Sequence, residues 1–93
     1  MITDNEYFGG NVKSLGFENA QGRATVGVME KGEYEFNTAS PEKMTLISGS
    51  WELKLPGSDA YVPFGAGETV SIPGDSVFQL RIVETSAYHC AFV

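Results

Sequence analysis

The sequence predicts an all-β protein, an antiparallel sandwich or barrel, from three observations. Short runs with a two-residue hydrophobic period recur along the chain, turn-forming residues separate them, and no segment keeps a helical period for three turns. Eight or nine strands at this spacing, without a helix, describe a small barrel or jelly roll.

Each strand has its own justification. NVKSLGF (11–17) and RATVGVM (23–29) flank the turn ENAQG. In GEYEFNT (32–38), Tyr34, Phe36 and Thr38 share one face, opposite Glu33, Glu35 and Asn37. KMTLIS (43–48) follows the turn TASPE, and WELKL (51–55) places Trp51, Leu53 and Leu55 opposite Glu52 and Lys54. ETVSI (68–72) lies between GAG and PGDS; VFQLRIV (77–83) sets Phe78, Leu80 and Ile82 against Gln79 and Arg81; and AYHCAFV (87–93) closes the chain. Gly, Pro, Asn and Asp fill the dividers because turns need their φ values and local hydrogen bonds.

Composition bounds the function. At 93 residues the chain is expected to form a single domain over 1–93, at the small end of what buries a stable core, which favours sharing a face with a second copy. Twelve acidic residues against six basic ones give a net charge of −6, so a nucleic-acid polymer is repelled. A single bound phosphate is not excluded, since it needs only one or two cations or a few amides. Cys90, the only cysteine, permits no disulfide within the chain, and no apolar run approaches the ~20 residues of a membrane helix; a cytoplasmic protein without membrane partners is expected.

Two spacings carry a fold resemblance. In Glu42-Lys43-Met44-Thr45-Leu46-Ile47-Ser48-Gly49 the glutamate precedes glycine as in the first motif of the cupins, with Tyr34 and Phe36 near the positions of its two histidines. In AGETVSIPGDSVFQL, Gly67 and Pro73 keep the spacing of the second motif, and Phe78 stands where its histidine belongs. The chain therefore resembles a cupin-type double-stranded β-helix whose metal ligands are replaced by aromatics. A metal needs converging His or carboxylate donors, so no metal is expected. His89, the single histidine, shares no face with Tyr88 and Cys90 and is expected to have no chemical role.

The words NEYF, GRATVGVM, GEYEF, TASPEKMTLISG, IPGDSVFQL and SAYHC, from Asn5 to Cys90, resemble the pyrimidine/purine nucleoside phosphorylase family of small cupins. The resemblance implies phosphorolysis of a broad range of nucleosides to free base and ribose 1-phosphate, with phosphate as co-substrate, in a homodimer. The residues tolerate that chemistry. Arg23 and Arg81 are the candidate phosphate ligands, because a guanidinium binds phosphate through two parallel bonds; strand parity turns Arg81 away from Phe78, so Arg23 ranks first. Glu42 is the candidate for the ribose hydroxyls and for charge at the anomeric carbon, with the Thr38 hydroxyl on the cavity face. Tyr34, Phe36, Phe78 and Tyr88 are candidates to stack the base, since purines and pyrimidines share a flat face but not their polar edges. A non-catalytic small-molecule-binding cupin and a sugar isomerase or epimerase remain open alternatives.

Overall fold

A computed structural model describes residues 2–93. The strands are β1 (Thr3–Tyr7), β2 (Val12–Asn19), β3 (Gly22–Met29), β4 (Gly32–Thr38), β5 (Glu42–Lys54), β6 (Val62–Gly65), β7 (Thr69–Ile72) and β8 (Ser76–Phe92), with one tight 3-10 turn at Phe8–Gly10. All pairings are antiparallel. Among the described residues no helix is long and apolar enough to cross a membrane.

Two long strands organise the molecule. The first half of β8 pairs with β4 and with the end of β5, and its second half pairs with β3 and with the start of β5. β5 likewise serves β7 near its start and β6 near its end. Both strands thus pass from one layer to the other, which is how the jelly-roll architecture predicted from the sequence is assembled.

The sequence divides each of these strands in two, at Gly49-Ser50 and at ETS (84–86), and the structure corrects this. Neither interruption ends its strand; each bends it. In β5 the register slips between Leu46 and Trp51, so the buried series Met44, Leu46 continues as Trp51, Leu53 on the opposite parity. Gly49, at φ 112, permits the bend, and a Cβ there would lie 2.0 Å from Ser86 Oγ. Ser86 Oγ donates to the Glu84 carbonyl at 2.7 Å and accepts from the Ser50 amide at 3.2 Å, pinning the two bends together. β1 and β6 lie in TDNEY and VPFG, neither of which shows a clear hydrophobic alternation.

The core lies between the layers. Val12, Met29, Met44, Leu46, Trp51, Ile72, Leu80 and Ile82 are nearly fully buried there. Every side chain from Phe78 to Cys90 that enters this core from β8 has even parity, so this single strand carries Phe78, Tyr88 and Cys90 to one interior.

Candidate active site

At one end the interior opens into a cavity of about 690 Å³. β3 contributes Arg23, Thr25 and Met29, alternate residues of one strand face, and β8 contributes Phe78, Tyr88, Cys90 and Phe92. Glu42 and Met44 enter from β5 and Phe36 from β4, while Tyr7 and Phe8 form part of the solvent-exposed rim.

Glu42 opens β5 on the parity of Met44 and Leu46, so the alternation that buries those two residues also aims its carboxylate inward. It is paired with Phe92 across the ladder, with Cys90 next to it on the same face. The Cys90 thiol donates to Glu42 Oε1 at 3.1 Å. Burial raises the Glu42 carboxyl above its ordinary pKa, and the bond from Cys90 acts in the opposite direction. Burial and the neighbouring Glu42 charge push the Cys90 thiol up, so it stays protonated and remains a donor at neutral pH.

Tyr88 sits over the backbone of β3. Its register partner is Gly27, where a Cβ would lie 2.8 Å from the ring and 2.6 Å from the Lys13 carbonyl oxygen. Glycine is therefore the residue that lets the ring lie flat against the sheet. Burial pushes the Tyr88 hydroxyl up to about 12, so it too remains protonated at neutral pH.

Arg23 stands on an exposed strand end, with its guanidinium carbon 5.4 Å from the centre of the Phe92 ring. Among the described residues it makes no ion pair. Arg81 is differently engaged. It lies on the outer face, bonded to Glu52 at 3.1 Å and Glu33 at 3.4 Å, with its guanidinium 3.9 Å from the centre of Tyr61.

Two of the residues that the sequence assigns to the cavity lie outside its lining. The Thr38 hydroxyl is taken up in the turn before β8, donating to the Pro73 carbonyl at 2.7 Å and accepting from the Ser76 amide at 3.1 Å. Tyr34 is buried behind Phe8 and donates to the Glu30 carbonyl at 2.8 Å. Arg23, Phe36, Glu42, Phe78 and Tyr88 all line the cavity. Phe36 and Phe78 stack at 5.5 Å with an interplanar angle of 23°. Among the described residues no three His, Cys, Asp or Glu side chains converge, so the donor set of a metal-binding cupin is not assembled.

Comparison with known proteins decides the family. Residues 2–92 match the sequence pattern described as pyrimidine/purine nucleoside phosphorylase. Proteins of that name from Tolumonas auensis and Yersinia enterocolitica are each 50% identical, covering 99% and 100% of this chain and 99% of their own. This chain belongs to the pyrimidine/purine nucleoside phosphorylase family. A Vibrio parahaemolyticus protein of unknown function superposes with a TM-score of 0.96 at 39% identity, over 100% of this chain and 99% of that one. An RmlC-like cupin from Shewanella frigidimarina, at 17% identity and a TM-score of 0.76 over 99% of this chain and 83% of that one, shows the cupin fold alone.

On this phosphorylase-family scaffold, Cys90 and Phe8 are among the cavity residues that sequence reasoning missed. Cys90 carries no motif of its own; its parity with Tyr88 on AYHCAFV was the available clue. Phe8 lies in NEYFGG, whose paired glycines announce a turn but not the direction in which it aims the ring. His89 lies on the outer side, 6.4 Å from Phe17 between ring centres.

Proposed function

We propose that this chain cleaves pyrimidine and purine nucleosides with inorganic phosphate, releasing free base and ribose 1-phosphate without a metal or organic cofactor. The observation that carries the proposal is the meeting of a guanidinium that makes no ion pair among the described residues, a half-buried carboxylate and aromatic walls in one cavity of about 690 Å³. That volume lies within the range of ordinary small-ligand pockets. The family name of the relatives points to the same substrates.

In this reaction the bond between C1′ and the base nitrogen breaks, its electron pair leaving with the base, and a phosphate oxygen bonds to C1′. The leaving nitrogen takes a proton from phosphate or water. Between these events the sugar carries oxocarbenium character, so catalysis consists mostly of positioning and charge stabilisation. Arg23 holds phosphate through two parallel bonds and presents an oxygen to C1′. Glu42, when ionised, accepts from the ribose hydroxyls and stabilises positive charge at the anomeric carbon. The aromatic lining recognises the base by its face, which both base classes share, and this yields broad specificity.

Incubation with uridine and with adenosine, with and without phosphate, tests the proposal. Phosphate-dependent release of both bases is expected. Binding without cleavage would point to a non-catalytic cupin, and conversion of a sugar without base release would point to an isomerase or epimerase; either result removes the proposal.

We further propose that the protein acts as a homodimer in the cytoplasm. Leu15, Val26 and Val28 are exposed on the outer face of β2 and β3, with Leu15 directly opposite Val26. Adjoining apolar side chains of this kind favour association. Sedimentation at two concentrations should give twice the chain mass, and the mass of one chain at both would exclude the dimer.

A further inference from the structure

Three consecutive residues between β1 and β2 have positive φ: Phe8 at 53°, Gly9 at 67° and Gly10 at 94°. Glycine adopts such angles without steric penalty, whereas the Cβ of any other L-residue crowds the backbone. A bulky aromatic in this region is an outlier, and such strain concentrates at functional sites. Two of the three positions are glycine, and Phe8 keeps its side chain.

The left-handed backbone folds the Phe8 ring back over β4. The ring lies 5.0 Å from Tyr34 and meets Phe36 edge-on at 5.6 Å and 85°. Phe8 is nevertheless 47% exposed and lines the cavity beside Tyr7. It also stands in front of Tyr34, one of the four aromatics that the sequence offers for base stacking, which is only 7% exposed with its hydroxyl committed to the Glu30 carbonyl. An aromatic face is therefore held at the cavity mouth by an unfavourable backbone and left half uncovered.

We infer that Phe8 is the stacking face for the nucleobase at the cavity mouth, a substrate-binding residue supported from behind by Tyr34 and Phe36. The ring carries no hydrogen-bonding group, so it supplies affinity for any flat heteroaromatic base and does not discriminate purine from pyrimidine. This assignment rests on the nucleoside reading of the cavity.

The test compares wild type with Phe8→Ala, Phe8→Leu and Phe8→Trp, using KM for uridine, adenosine and phosphate, Kd for each nucleoside by calorimetry without phosphate, and urea unfolding. Leucine keeps apolar bulk without a flat face, and tryptophan keeps the face. Phe8→Ala and Phe8→Leu should weaken both nucleosides by about 5- to 150-fold, the range for losing one base–aromatic stack. The uridine-to-adenosine ratio and the phosphate KM should stay within about twofold of wild type, with Phe8→Trp near wild type. Unchanged nucleoside KM and Kd in folded Phe8→Leu would overturn the assignment, as would nucleoside and phosphate KM rising together. Wild-type protein that binds nucleosides without cleaving them would end the phosphorolysis reading while leaving Phe8 to be judged on Kd. Wild-type protein that does neither would end both.

Discussion

Cys90 and Glu42 stand 48 positions apart in sequence and meet inside the cavity, where the thiol donates to Glu42 Oε1 at 3.1 Å. The contact joins the start of β5 to the end of β8, and it exists because the two strands pair there with both side chains on the inner face. Burial works against ionisation of Glu42, and the thiol works for it.

The first prediction follows from that opposition. If ionised Glu42 stabilises the sugar, activity rises with pH through the Glu42 pKa, and Cys90→Ala should move this acid limb to higher pH. Cys90→Ser keeps a donor and should move it less. Of the other titratable groups lining the cavity, Tyr88 stays protonated across this range, while Tyr7, Arg23 and Glu35 are present in both wild type and variant. A pH–kcat profile measured on folded Cys90→Ala checks it; an acid limb coincident with wild type would contradict the role of the thiol.

Glu42 itself should behave as a residue kept at the expense of stability. A carboxyl raised by burial contributes stability that is fully present below its unfolded pKa and is lost as pH rises through its folded value. At neutral pH, Glu42→Gln should therefore unfold at the same or a higher urea concentration than wild type, with the difference shrinking on acidification. Its kcat should fall by about 10²- to 10³-fold, as for removal of one electrostatic stabiliser. Urea titrations at neutral and acid pH, set beside kcat, make the comparison; wild-type kcat would take Glu42 out of the site.

Much of this was legible in the sequence because period-two alternation reports side-chain direction directly. It set Phe36, Phe78 and Tyr88 on inner faces, turned Arg81 outward, and left His89 opposite Cys90. The same rule misplaced Thr38, which has the right parity but lies at a strand end where Pro73 and Ser76 capture its hydroxyl. It also divided β5 and β8, because a glycine bulge and a turn break look alike in sequence; only the contact between Gly49 and Ser86 distinguishes them. Phe8 escaped notice because a φ of 53° on a phenylalanine follows from no propensity.

Arg23 supplies a third prediction. Arg23→Ala should raise the phosphate KM by about 10- to 100-fold, in keeping with hydrogen bonds to a charged group worth ~1.5–3 kcal/mol, and should leave nucleoside KM nearly unchanged. Arg23→Lys keeps the charge without the two-bond geometry and should fall between. Steady-state kinetics with phosphate varied at saturating uridine distinguishes these cases, and a wild-type phosphate KM in Arg23→Ala would move the phosphate site elsewhere.

The replacement of cupin histidines by Phe36 and Phe78 leads to a fourth. Dialysis against a strong chelator should leave kcat and KM unaltered, since the residues present do not assemble a metal's donor set. Loss of activity that a divalent ion restores would contradict the metal-free proposal.

The most direct measurement follows phosphorus through the reaction. Uridine and adenosine are each mixed with the purified protein and phosphate, and ribose 1-phosphate is quantified by phosphorus NMR beside the released base. One ribose 1-phosphate for each base is expected from both nucleosides, none without phosphate, and far less from Glu42→Gln or Arg23→Ala. Base released equally without phosphate, or no base released by the folded wild-type protein, would contradict the account.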